Sequence, residues 1–252
     1  MKKPRKHISR ISILHYVKLV LRSALFVLVL VYYIFERTDK LTSFAPLPIC
    51  VWIFFVAEMV LRFFPSRLES MGCQKQFKHN YEPISKTAVP VNQSWKRTAL
   101  VAVLWLTLNA VIGALYFAGI FDRGILILIA IGFSVCDIVC ILFFCPFQTW
   151  FMKNRCCTTC RIYNWDFAMM FTPLVFIPSL YTYSLLGCAI ALLLRWEIAY
   201  RLHPERFSTA TNKCLDCSRC EEKLCSHKKQ LQFFLKKYRT RFFPSREINR
   251  KK

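Results

Sequence analysis

The residues of this chain with the most chemistry in them are cysteines. The series Cys214-x2-Cys217-x2-Cys220-x4-Cys225 places four thiols within twelve residues, and His227 follows it. Sulfurs at that spacing lie on a short wrap of chain that can surround one metal centre. The polar neighbours Asp216, Ser218, Arg219, Glu221, Glu222 and Lys223 keep the segment in water and within reach of metal. A second group, Cys156-Cys157-x2-Cys160, has Cys145-Pro146 just ahead of it. Its three thiols in five residues exceed what packing needs, yet they fall short of a four-ligand set. Together with Cys145 the two groups can serve one or two shared centres. Zinc and an iron–sulfur cluster are both open as the metal.

The spacing Cys214-x2-Cys217-x2-Cys220 resembles the first three ligands of the bacterial ferredoxin run. It departs from that pattern further on, where four residues precede Cys225 and Ser226 follows it. Cysteine groups next to apolar segments, Cys145-Pro146 among them, are also similar in layout to membrane-anchored ferredoxin-type subunits of bacterial respiratory chains. That resemblance implies electron transfer through an iron–sulfur centre at the cytoplasmic face, with a redox partner. Zinc implies instead a metal-clasped membrane scaffold that engages a membrane protein partner and catalyses nothing. A small proton- or ion-coupled transporter is a third reading, built on the intramembrane polar residues Asp137 and Asn109.

The thirteen cysteines are an odd number, and the clustered ones fall on the side expected to be reducing, so thiols are expected rather than disulfides. Cys50 and Cys188 lie within apolar runs and read as small hydrophobes. Cys73 has no partner that the sequence identifies.

Elements must position these groups, and the composition says in what solvent. Of the 252 residues 55% are hydrophobic, blocked into long runs such as Leu19 to Phe35 and Gly124 to Phe147. A run of roughly 20 apolar residues is what a helix needs to cross about 30 Å of hydrocarbon. The sequence therefore predicts an all-α integral membrane protein, a bundle of about six transmembrane helices over 14–35, 44–64, 98–121, 124–145, 161–179 and 182–200. Residues 201–252 form a basic, cysteine-rich tail. The alternative for 167–194 is a single kinked span, since Pro173 and Pro178 interrupt it.

The net charge of +22 sits in the connections and the tail. After Leu194 come sixteen lysines and arginines against six acids, so the positive-inside rule puts the tail in the cytoplasm. Both termini, 65–97 and 148–160 are expected there in a multi-pass protein of the cell membrane. Basic flanks of this kind point to anionic lipid rather than nucleic acid. The stretch after Lys228, rich in phenylalanine among basic residues, suits a helix lying on such lipid. The motif Arg-Phe-Phe-Pro-Ser-Arg occurs at 62–67 and again at 241–246, and both copies read as interfacial stops.

Within the spans, Asp137 carries the only charge of Gly124 to Phe147 and needs a partner. Asn109 and Glu58 are the expected company. Glu58 is also four residues before Arg62, which predicts an ion pair along one helix. Glu197 reads as boundary decoration.

Overall fold

The computed structural model describes residues 10–36, 46–65, 74–85, 87–91, 93–154 and 156–216. Cys217, Cys220, Cys225, His227, Cys73 and the basic stretch after Lys228 lie outside the described residues. The described chain is helical, apart from one isolated bridge between Pro83 and Asn212.

The first helix, α1 (Arg10–Glu36), contains neither proline nor glycine over its 27 residues. The second, α2 (Pro46–Leu61), stops short of Pro65. Next come α3 (Trp95–Phe117) and α4 (Arg123–Leu142). The turn between them works by two local devices. Gly119 takes the left-handed φ of 75° that a side chain resists. Asp122 caps α4 by accepting from the Ile125 N–H at 2.8 Å, and Tyr33 of α1 donates to the same carboxylate at 2.8 Å.

Three segments are long and apolar enough to cross a bilayer: Ile13–Phe35, Trp95–Phe117 and Arg123–Leu142. Their outward residues suit that solvent. Val20, Ile34, Val103 and Leu106 are each about 60% or more exposed, which water would penalise and lipid does not. Three such spans mark a multi-pass membrane protein. The apolar helix Ile49–Leu61 is shorter.

The expected span 161–179 is not one α-helix. It is a 3-10 turn (Arg161–Trp165), the six-residue α5 (Asp166–Phe171) and a second 3-10 turn (Thr172–Phe176). Pro173 accounts for the last change, because it withholds the N–H that an α-helix needs. The chain then turns through extended Ser179 into α6 (Leu180–Leu202), which ends one residue before His203-Pro204. Residues 161–202 form an antiparallel hairpin rather than a single kinked span. Arg161 pairs with Glu197 at 2.6 Å at one end, and Thr182 donates to the Ile177 carbonyl at 2.7 Å at the other.

The core lies where α2, α4, α5 and α6 meet, around Phe55, Met59, Leu126, Phe167, Met170 and Leu192. The second 3-10 turn docks on α3 through Gly113, where the Phe176 ring fills the space a Cβ would take.

Three connections are tied together at one end of the bundle. Gln93 donates to the Thr159 carbonyl and accepts from the Arg161 N–H at 2.9 Å. The Val91 N–H donates to Ser208 Oγ at 3.0 Å, and Lys213 N donates to the Glu82 carbonyl at 2.8 Å. Asn212, fully buried, donates from Nδ2 to the Lys75 and Arg206 carbonyls at 2.9 and 2.8 Å. The cysteine loop and the start of the tail are thus on the same end.

Candidate functional site

The thiol cluster begins where α4 stops. The helix ends at Leu142, and after Pro146 a π turn, Phe147–Phe151, follows. Lys153, at a left-handed φ of 50°, then reverses the chain. The loop closes on itself as Asn154 N donates to the Gln148 carbonyl at 3.0 Å, while Gln148 Nε2 donates to the Asn154 carbonyl at 3.1 Å. That reversal carries Cys157 and Cys160 back over the end of α4.

A cavity of about 340 Å³ lies between α3, α4, the loop and α5. Cys136 and Cys140 from α4, Cys145 just after it, and Cys157 and Cys160 from the loop all line it. Cys157 donates to Gln148 Oε1 at 2.7 Å, and the Gln148 N–H donates to Cys145 Sγ at 3.4 Å. Trp105, Phe133, Phe147 and Tyr163 supply rings, with Trp105 centred 4.9 Å from Phe133 and 6.4 Å from Phe147. Burial pushes the Cys160 thiol up to about 12, so it is neutral at ordinary pH.

The sequence grouped Cys145, Cys156, Cys157 and Cys160. The structure adds Cys140 and Cys136, which stand two and six residues back from the end of α4 and which sequence spacing does not single out. Cys156 does not line the cavity but neighbours Cys160 electrostatically. Among the described residues no group of three or more His, Cys, Asp or Glu is arranged to hold a metal ion. Cys214 is half-buried at the common end, with its N–H donating to Asn212 Oδ1 at 3.0 Å.

Beside the cavity runs a buried charge network that the sequence assigned differently. Arg22 of α1 is only 1% exposed. It donates to Glu58 at 2.6 Å, to the Ser134 carbonyl at 2.8 Å and to Asp137 at 3.3 Å. The partner of Asp137 is therefore Arg22, not Asn109, whose Nδ2 donates to the Trp105 carbonyl of its own helix at 2.9 Å. Glu58, which the sequence pairs with Arg62 along one helix, meets cations of α1. Glu58 takes Arg22 and also Lys18 at 2.9 Å, while Arg62 reaches Asp166 at 2.5 Å and lies over the Phe167 ring at 4.5 Å.

The reason is the low dielectric. Each helix needs counter-charges from its neighbours to bury its own, so charges pair between helices. Three cations, Lys18, Arg22 and Arg62, balance three anions, Glu58, Asp137 and Asp166. Two of those anions, Asp137 and Asp166, also line the cavity. Glu197 is likewise more than a boundary residue, since it accepts from Arg161 and from Trp165 Nε1 at 2.8 Å. One signal was available in the sequence: Arg22 sits inside an apolar run.

Compared with protein-family models, curated proteins and solved structures, the chain matches none.

Proposed function

We propose that this protein is a membrane-embedded metal-binding protein whose centre sits at one end of the bundle, held jointly by thiols of the 145–160 loop and of the tail. The favoured centre is an iron–sulfur cluster that passes electrons to a redox partner; the zinc-clasped scaffold is the alternative. The observation that carries the reading is the tying together of the three connections. Gln93 holds the cysteine loop, and Ser208, Asn212 and Lys213 pin the tail to the same polar layer. The tail series therefore starts, at Cys214, on the end where Cys145, Cys157 and Cys160 gather.

Among the described residues no three such groups are arranged to hold a metal, and the further ligands of the proposed centre are Cys217, Cys220 and Cys225. We place this end in the cytoplasm, because the basic tail emerges there.

The test is metal content and thiol protection of the full chain purified without oxygen. Iron with acid-labile sulfide supports the cluster, and zinc without sulfide supports the scaffold. Substituting Cys217 and Cys220 together by serine lowers bound metal and raises alkylation of Cys157. Metal at background level in the parent protein sinks the reading. Metal loss with unchanged protection of Cys157 sinks the shared centre.

A further inference from the structure

Near the end of the bundle that carries the polar layer, Arg195 of α6 is a half-buried cation whose only printed neighbours are a carbonyl and two rings. Its guanidinium lies over Phe63 and Phe77 at 5.3 and 5.5 Å, and Nη1 donates to the Phe63 carbonyl. Nε and Nη2 have no partner among the described residues, and neither is shut away from solvent. Arg22, Arg62 and Arg161, by contrast, each meet a carboxylate within 2.6 Å. Among the described residues no carboxylate pairs with Arg195, and a half-buried charge gains by meeting one of opposite sign. The planar fork of an arginine fits the oxygens of a phosphate in particular.

The surroundings say what carries that phosphate. Arg195 is the one charged residue, among those described, that lines an open pocket of about 640 Å³, and the other walls are Val60, Phe63, Phe64, Pro65 and Phe77. Residues 63–65 belong to the Arg-Phe-Phe-Pro-Ser-Arg motif that marks a membrane interface. The pocket runs on into apolar surface, since Phe64 is 63% exposed, and Leu194 and Ile198, one residue before Arg195 and three after it, are exposed as well. Arg195 stands seven residues before the end of α6 at Leu202, about 10 Å along the axis, and within one turn of Glu197 in the polar layer. That is the depth at which apolar side chains give way to polar ones.

We propose that this pocket binds an anionic phospholipid, its phosphate oxygens on the fork of Arg195 and its glycerol and first acyl carbons against Val60, Phe64 and Pro65. A zwitterionic headgroup fits less well, because its ammonium brings a second cation to a pocket without an acid among its described walls. Free phosphate offers the same oxygens but nothing for the five apolar walls. The site shares no residue with the thiol cavity and stands apart from the metal centre.

The test uses full-length protein stripped of lipid in a neutral detergent. It is titrated with phosphatidylglycerol, phosphatidylcholine or inorganic phosphate, and bound molecules are counted by native mass spectrometry. The expected result is one tight phosphatidylglycerol per chain, with phosphatidylcholine and inorganic phosphate each weaker by about tenfold or more. Arg195→Met weakens phosphatidylglycerol about thirtyfold, which is about 2 kcal/mol, the worth of a hydrogen bond to a charged group. Phe64→Glu changes a ring that is already exposed, so the fold tolerates it, and the carboxylate it sets in the pocket weakens binding by a similar factor. Arg201→Met, at an exposed arginine six residues further on, leaves binding unchanged. The proposal is overturned if phosphatidylcholine or inorganic phosphate binds as tightly as phosphatidylglycerol, or if either Arg195→Met or Phe64→Glu binds like the parent. It is equally overturned if Arg201→Met weakens binding as much as Arg195→Met, because overall charge then accounts for the attraction.

Discussion

Replacing Arg22 by methionine tests the charge network most directly. The side chain is 1% exposed and makes three contacts to α2 and α4. Methionine fills most of the same volume, so packing changes little and charge dominates the outcome. Glu58 keeps Lys18 at 2.9 Å, but Asp137 loses its ion pair at 3.3 Å. Removing one partner of a buried pair costs about 3–5 kcal/mol, mostly the penalty of the charge left behind. Arg22→Met is therefore expected to destabilise the protein by that amount.

Asp137→Asn leaves Arg22 with Glu58 and the Ser134 carbonyl and costs less, about 1–2 kcal/mol. In Arg22→Met/Asp137→Asn no charge is stranded, so the double variant should be more stable than the sum of the singles by about 1–3 kcal/mol. The assay is equilibrium unfolding in mixed micelles titrated with dodecyl sulfate, followed by tryptophan fluorescence. Additive singles, or an Arg22→Met variant within about 0.5 kcal/mol of the parent, would refute the claim that these charges balance one another.

Thr209 is exposed, whereas neighbouring Ser208 is buried and bonded to Val91, so Thr209→Cys is the better topology probe. It should react with an impermeant maleimide only after cell lysis, with the parent protein as background; labelling of intact cells would place the tail outside. Gly113→Ala forces the Phe176 ring off α3 and should cost about 1–3 kcal/mol by the same unfolding assay. Because the Cys160 thiol is raised from 9.0 to about 12, the unfolded chain releases this proton first as pH rises. Its contribution is intact below about pH 9 and lost as pH climbs towards 12. Cys160→Ala should flatten the fall in stability over that window.

Composition and run length determine that this chain lives in lipid and is helical, because a backbone there has to satisfy its own hydrogen bonds. Some helix ends follow from residues beside them, since Asp122 caps α4 and Pro204 follows the end of α6. The fold-back at Pro178-Ser179 was legible as well, argued from charge in the tail and seen as the Arg161–Glu197 pairing.

Which buried charges meet was not legible. The sequence offers Glu58 a partner four residues away, but the bundle offers it Arg22 from another helix, and a buried pair is decided by what surrounds it in three dimensions. The same holds for the thiols. Spacing finds Cys156-Cys157-x2-Cys160 because those residues are close in sequence, and it passes over Cys140 because a cysteine in an apolar helix is an ordinary hydrophobe. The reversal at Lys153, folding the loop back over α4, brings Cys157 and Cys160 to the cavity that Cys140 and Cys145 also line.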